Sequence, residues 1–287
     1  MNFIEQPLAA GLYLVATPIG TARDITLRAL DTLASADELV AEDTRTLRKL
    51  MEIHGVPLKG RRVHAYHDHS GEAARTRILA AIREGKSVAY ASEAGTPLIA
   101  DPGYALVAAA RDAGLPVTSA PGPNAAIAAL SIAGLATDRF AFLGFAPTAE
   151  KARQSALAAV ADLDATLVYY ESPRRLAAFL ASAKSALGPD RTAALCREIT
   201  KRFEDVTRGT LSELADRYAA QPVKGECVVL IERAQKRQLN PEDLDAAIKT
   251  ALTDMGVKDA ASHVAQATNT PRRVVYQRAL ALKKDQL

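Results

Sequence analysis

The chain has 287 residues, of which 48% are hydrophobic and 24% charged, and it carries a formal net charge of +3. This suits a globular protein of about two domains, and no apolar run approaches the roughly eighteen residues of a membrane-spanning helix. The first residues lack the basic and apolar regions of an export signal, and Cys196 and Cys227 stand in apolar contexts without metal-ligand spacing, so a cytoplasmic chain with reduced thiols is expected.

Gly11 to Ala16 reads as a buried strand ending in Thr17-Pro18-Ile19-Gly20, with a helix from Leu27 to Ala36 and Thr26 at its N-cap. No G-x-G-x-x-G follows this strand, which weakens a dinucleotide-binding reading. Glu38 to Ala41 is a short strand whose end carries Glu42-Asp43-Thr44-Arg45 before a helix over 46–53. These residues fit either a polar ligand or the capping of that helix, the commoner use of Asp43 or Thr44. Lys59 to His69 is basic and carries His64, His67 and His69. An extended course would set His67 and His69 on one face, but no third ligand for zinc follows, leaving a polar surface loop or an RNA-facing loop.

A helix over 72–84 leads to Ser87–Ala91, an apolar strand broken by Ser92, Glu93, Gly95, Thr96 and Pro97, then by Asp101-Pro102-Gly103 before a helix from Tyr104. In an open α/β sheet, ligands bind outside the carboxyl ends of strands. Gly95 and Gly103 let the backbone take positive φ and approach a ligand closely. A strand over 116–120 ends in Pro121-Gly122-Pro123-Asn124, and an alanine-rich helix starts there on Pro123 or Asn124. The first domain boundary is placed at this turn.

Strands at 140–145, 166–170, 193–198, 206–210 and 227–231, with helices at 150–161, 173–187 and 211–219, describe a second α/β domain. After Arg233 the composition changes: a polar linker at 235–238, an acidic helix start at Asn240-Pro241-Glu242-Asp243, and three short helical patterns. Residues 233–287 hold ten Lys and Arg against six Asp and Glu, which concentrates the basic excess in this tail. Arg272, Arg273 and Arg278 lie on its last helix, where they suit a polyanion, although a solvated or dimer-stabilising cap fits the same pattern. The expected organisation is therefore residues 1–122, 123–234 and a helix-turn-helix-like module over 235–287.

Taken in order, VATPIG (15–20), DIT (24–26), AEDTR (41–45), AGTPLI (94–99), DPG (101–103), PGP (121–123), YESP (170–173) and REITK (197–201) resemble the tetrapyrrole-methylase superfamily. The similarity covers about residues 11–231 and is strongest to its ribosomal RNA small subunit methyltransferase I branch, whose C-terminal appendage the tail resembles. It departs from that branch at Thr21-Ala22, at Glu93 in place of Asp, and at Arg174 in place of His.

The resemblance implies two α/β domains with S-adenosylmethionine in the cleft between them, a homodimer, and 2′-O-methylation of a cytidine in the decoding region of 16S rRNA, within the 30S subunit. Cofactor-binding residues are then expected at Thr17, Pro18 and Gly20, at Ser92, Glu93, Ala94, Gly95, Thr96 and Pro97, and at Pro121, Gly122, Pro123 and Asn124. No metal is expected. Transfer to a ribose hydroxyl calls for in-line positioning and a base. Glu42, Asp43, Glu198 and Lys201 are the candidates by their place at strand ends, and each also fits a salt bridge or loop clamp. Two alternatives stay open. A tetrapyrrole methyltransferase would carry a G-x-G-P-G-D first loop and no basic tail, and a non-catalytic nucleic-acid-binding protein would leave the loop motifs without a use.

Overall fold

A computed structural model describes residues 3–67, 70–234, 241–268 and 270–284. The chain forms two compact units, residues 1–233 and 234–287. The expected pairing of His67 with His69 cannot be followed because His69 is outside the described residues, as are the linker at 235–238 and Asn240. β3 itself ends at Ala65, before His67.

The first unit contains two five-stranded sheets. The first is wholly parallel, in the order β3 (Val63–Ala65), β2 (Glu38–Ala41), β4 (Ser87–Ala91), β1 (Gly11–Val15), β5 (Val117–Ala120). Its central strands are apolar on both faces because helices cover both, as a parallel sheet requires. Leu39 and Ala89 pack with α1 (Leu27–Ser35) and α2 (Thr44–Ile53) on one side. Val88, Tyr90 and Leu12 pack with α3 (Gly71–Arg83) and α4 (Tyr104–Asp112) on the other. From β1 the chain crosses to β2, and from β4 it crosses the opposite way to β5. The order therefore reverses between the adjacent strands β1 and β4, where a crevice opens at their carboxyl ends.

Local chemistry fixes the helix starts. Thr26 Oγ1 accepts from Ala29 N at 3.1 Å at the start of α1. Asp43 accepts from Arg45 N and Thr46 N, so α2 begins two residues earlier than periodicity alone suggests. Asn124 Oδ1 accepts from Ala126 N and Ile127 N and starts α5 (Ala125–Ile132).

The second sheet has the order β6 (Phe140–Phe145), β7 (Thr166–Glu171), β10 (Cys227–Ile231), β8 (Thr192–Arg197), β9 (Asp205–Thr210). β6 and β7 are parallel, whereas β10 runs antiparallel between β7 and β8, and β8 and β9 are antiparallel neighbours. Side chains alternate along β7, β8 and β10, as the two-residue period dictates, while β6 is interrupted by a bulge between Phe142 and Gly144. Leu167, Tyr169, Leu195 and Val229 face α6 (Glu150–Ala158), α7 (Pro173–Leu187) and α8 (Leu211–Ala220). Val168, Ala194, Cys196, Val228 and Leu230 face α5 and the loop residues Ile19 and Ile199. The helix that follows the first sheet thus forms one wall of the second.

The register sets Cys227 beside both Glu171 and Arg197. The loops after β7, after β8 and before β10 consequently leave one common edge of the second sheet.

The second unit consists of α9 (Pro241–Asp254), α10 (Val257–Thr268) and α11 (Arg272–Lys284). Its core is Leu244, Ile248, Ala261, Val264, Val275 and Ala279. Among the described residues no helix is long and apolar enough to cross a membrane.

Candidate active site

The loops after β1, β4 and β5 are tied into one body. Thr17 and Gly95 form an antiparallel bridge, with Thr17 N donating to Gly95 O at 2.9 Å and Gly95 N to Thr17 O at 3.0 Å. Ser92 Oγ donates to Gly95 O at 2.7 Å, and Thr17 Oγ1 donates to Ser92 O at 3.3 Å. Thr96 Oγ1 donates to Pro123 O at 2.9 Å, while Thr26 Oγ1 donates to Pro121 O at 3.4 Å. A Cβ added to Gly122 would lie 2.9 Å from Ala16 Cβ, so the third loop packs directly on the end of β1.

Gly95 does adopt a left-handed φ of +81°, but a Cβ there would meet Ile19 Cγ2 at 3.3 Å and Pro123 O at 3.6 Å. Its missing side chain therefore makes room first for neighbouring loops, and the room expected there for a ligand is partly taken.

The second sheet closes over this body. A Cβ at Gly20 would stand 2.4 Å from Thr200 Oγ1 and 2.8 Å from Lys201 Cγ, and Thr21 N donates to Thr200 Oγ1 at 3.3 Å. Glu198 Oε1 accepts from Lys201 Nζ at 3.2 Å and from Glu226 N at 3.0 Å, and Lys201 Nζ reaches Glu226 Oε2 at 2.9 Å. The backbone N–H of Glu226, with Lys201 beside it, holds the Glu198 carboxyl below its ordinary range. Burial would lower the Lys201 ammonium, but its bonds to Glu226 and Glu198 outweigh that and raise it. Both groups stay charged near neutrality and are committed to each other. Four of the five non-glycine residues with left-handed φ among the described residues are Leu98, Ala100, Glu198 and Thr200. Such strain gathers where the surroundings over-determine a loop, as at ligand sites.

Two recesses flank the Thr17–Gly95 bridge. One is a cavity of about 390 Å³ whose wall includes Ala94, Gly95, Thr96, Asp101, Asn124 and Tyr170. Phe145 and Ile99 also line it and are partly exposed, at 55% and 37%. Tyr170 packs edge-on against Phe145, with ring centroids 5.9 Å apart, and its hydroxyl accepts from Ala126 N at 3.1 Å. The other recess is an open groove of about 640 Å³ bordered by Thr17, Pro18, Gly20, Arg45, Lys49 and Glu93.

Three carboxyl groups come together between them. Glu42 Oε2 accepts from Glu93 N at 3.2 Å, and Asp101 lies within electrostatic reach of both Glu42 and Glu93. Burial, reinforced by those two neighbours, pushes the Asp101 carboxyl from 3.8 up to about 7. Asp101 thus joins the cavity wall to the carboxylate that borders the groove. The residue belongs to the DPG turn, and its environment depends on one acid from its own loop, Glu93, and one from the loop after β2, Glu42.

The expected binding residues divide by position. Ala94, Gly95, Thr96 and Asn124 line the cavity, although the Asn124 carboxamide oxygen also caps α5. Thr17, Pro18, Gly20 and Glu93 border the groove. Neither set includes Ser92, Pro97, Pro121, Gly122 or Pro123. Ser92 and the carbonyls of Pro121 and Pro123 hold the loops in place through hydrogen bonds. Of the expected bases, Asp43 is occupied as the α2 cap and pairs with Arg45 at 3.1 Å. Phe145, Tyr170, Cys227 and Val228 complete the cavity from the second sheet and were not anticipated individually. Tyr170 opens the YESP motif, and for the others the sign in the sequence is their position at strand ends.

In the second unit, Arg278 is held by Asp245, with Nε to Oδ1 at 2.6 Å and Nη2 to Oδ2 at 2.8 Å. The expected trio of polyanion-facing arginines thereby loses one member to an ion pair.

The pattern of tetrapyrrole (corrin/porphyrin) methylases matches residues 11–215, and that of the RsmI C-terminal HTH domain matches residues 238–283. The chain belongs to the tetrapyrrole methylase family. It is 46% identical to the ribosomal RNA small subunit methyltransferase I of Mesorhizobium japonicum over 97% of this chain and 94% of that protein. It is 39% identical to the protein of that name from Haemophilus influenzae, covering 94% of this chain and 96% of the relative. Among solved structures, uroporphyrin-III C-methyl transferase from Thermus thermophilus complexed with S-adenyl homocysteine aligns with a TM-score of 0.54 at 21% identity. That alignment covers 77% of this chain and 97% of the other. The methyltransferase CobJ aligns with a TM-score of 0.59 at 22% identity, over 81% of this chain and 98% of the other. These likenesses agree with the two-sheet fold.

The chain is therefore a methyltransferase, and its methyl donor is S-adenosylmethionine. The cavity fits this donor in chemistry. Phe145, Tyr170, Ile99 and Val228 supply an apolar wall suited to an adenine ring, and Asp101 with its acidic neighbours suits a cation.

Proposed function

We propose that this chain 2′-O-methylates the ribose of a cytidine in the decoding region of 16S rRNA, with the 30S subunit as its substrate and a homodimer as its working form in the cytoplasm. The support for an rRNA substrate is the 39–46% identity to ribosomal RNA small subunit methyltransferase I over nearly the whole chain. The observation that carries the site assignment is the placement of Asp101 in the wall of the cavity, within electrostatic reach of Glu93 at the border of the groove.

In this reading Ala94, Gly95, Thr96, Asn124, Phe145 and Tyr170 hold S-adenosylmethionine, which supplies an electrophilic methyl group on a sulfonium. The groove takes the RNA strand, with Arg45 and Lys49 placed for phosphate oxygens. A ribose hydroxyl that gains a methyl group must lose its proton. Asp101 is the base we assign, in preference to Glu42, Asp43, Glu198 and Lys201. A carboxyl raised to about 7 is a stronger base than an ordinary one and is still ionised in a large fraction at neutral pH. Glu42 and Glu93 act by raising Asp101. Glu198 and Lys201 act by clasping the loop that covers Gly20.

The test is methyl transfer from labelled S-adenosylmethionine to 30S subunits, naked 16S rRNA and a tetrapyrrole precursor in parallel, followed by mass spectrometry of the digested product. Label on a ribose of rRNA is expected. Label on a base or on the tetrapyrrole overturns the reading, as does none at all. Asp101→Asn is expected to lower turnover by about a hundredfold or more while leaving donor affinity within a few-fold. Turnover unchanged in that variant removes Asp101 from the chemistry.

A further inference from the structure

We infer that one face of α11, formed by Arg272, Arg273, Tyr276, Leu280 and Lys283 together with Lys258 of α10, is an RNA-binding surface that grips phosphates and stacks an unpaired base on Tyr276. The inference rests on the rRNA reading above and goes beyond it by assigning a contact surface outside the methyl-transfer site.

Helical geometry separates the arginines. At about 100° per residue, Val275, Ala279 and Leu282 share the stripe that faces the module's core. Arg272, Lys283, Tyr276, Leu280 and Arg273 then fall within a sector of about 100° on one side of that stripe. Arg278 falls on the other side, where Asp245 pairs with it. The face kept for a partner is therefore not the one that a simple count of arginines suggests.

Its chemistry is that of a polyanion site with an aromatic platform. A recess of about 390 Å³ is lined by Lys258, Arg272, Arg273 and Tyr276, with no acid in its wall. Arg272 Nε donates to Ser262 Oγ at 2.9 Å, which positions the guanidinium across α10 without neutralising it. α10 starts at Val257 and α11 at Arg272, so the positive ends of two helix dipoles lie close to the same recess. Tyr276 and Leu280 are 39% and 41% exposed beside these cations. A partly exposed aromatic ring and a leucine framed by cations have no use against duplex phosphates alone. They are well suited to a base that has left its stack, because base–aromatic stacking tolerates any sequence while basic residues follow the backbone.

The test uses the full-length protein and a fluorescent RNA hairpin with an unpaired loop, with binding followed by anisotropy across a salt series. Arg273→Gln is expected to weaken binding and reduce the salt slope by about 0.7 to 0.9 for the lost phosphate contact. Tyr276→Ala is expected to weaken binding about tenfold with little change in slope, and Tyr276→Phe to restore it. Arg278→Gln serves as the control on the opposite side and is expected to bind as the wild type does. Each variant is checked for unchanged S-adenosylmethionine affinity, which reports a folded catalytic unit.

If Tyr276→Ala and Arg273→Gln bind like Arg278→Gln, the face is not an RNA surface, and methylation of 30S by the same variants leaves the rRNA reading standing. If wild type neither binds the hairpin nor methylates 30S, both readings fall together. Tighter binding of duplex DNA than of the hairpin overturns the stacking assignment. A face variant that changes only the sedimentation of the protein shows that a second copy covers it.

Discussion

Thr17 and Gly95, on loops that follow different strands, exchange both of their backbone hydrogen bonds, at 2.9 and 3.0 Å. The bridge spans the switch point between β1 and β4 and separates the cavity from the groove. It forms only because Gly95 takes a φ of +81° against Ile19. Gly95→Ala places a Cβ in a left-handed backbone 3.3 Å from Ile19 Cγ2, and this is expected to cost about 1–2 kcal/mol. Thermal unfolding should fall by several degrees, with a parallel loss of S-adenosylmethionine affinity by calorimetry. A variant as stable as wild type shows that the bridge is slack.

Asp101 makes a second prediction, about stability. Its carboxyl sits at about 7 in the folded protein against 3.8 ordinarily, so the folded state binds the proton more tightly than the unfolded chain does. That contribution is complete below about pH 4 and is lost as pH rises towards and through 7. Asp101→Asn removes the titration. The melting temperature of the variant relative to wild type is therefore expected to rise between about pH 5 and about pH 8. A difference that stays flat across that window means the carboxyl is not raised.

The same residue marks the limit of what the sequence discloses. Gly/Pro loops after apolar runs announced most of the strands and the gathering of the TPIG, AGTP and PGP segments, because each loop follows a strand of one parallel sheet. The burial of Asp101 and its approach to Glu42, on the loop after β2, and to Glu93, earlier in its own loop, depend on how those loops fold together, which no local pattern reports. Asp43 shows the converse: a carboxylate at a strand end, legible as a candidate base, is used by the two N–H groups nearest to it in the chain. The pairing of Arg278 with Asp245, 33 residues apart, depends on how α11 packs against α9, and helical periodicity gives no account of that. The antiparallel course of β10 between β7 and β8 was equally silent, since a short apolar run has no direction.

The cysteines give a third prediction. Burial pushes the Cys196 thiol up to about 12 and the Cys227 thiol up to about 11, so neither holds appreciable thiolate at neutral pH. Native protein is expected to leave Ellman's reagent unreacted over minutes, and both thiols should react once guanidinium unfolds it. Cys227 lines the cavity. Rapid labelling of one thiol in native protein would mean that the cavity opens far more than its walls imply.

Lys201 offers the last prediction, because its role separates from that of Asp101 by pH. Its ammonium pairs with Glu198 at 3.2 Å and Glu226 at 2.9 Å, and its stem lies where a Cβ on Gly20 would touch it at 2.8 Å. It thus fastens the loop after β8 both to the segment before β10 and to the loop after β1. Lys201→Met keeps the stem and removes the charge, leaving the half-buried Glu198 with only the Glu226 N–H as a donor. The cost is expected to be roughly 1 kcal/mol, a few degrees in melting temperature for a unit of this size. Since the ammonium stays charged throughout the neutral range, the variant should raise KM for substrate while the inflection expected in kcat/KM near pH 7, if Asp101 is the base, remains in place. A shift of that inflection in Lys201→Met, with KM unchanged, would move the proton-accepting role from Asp101 to the Glu198–Lys201 pair.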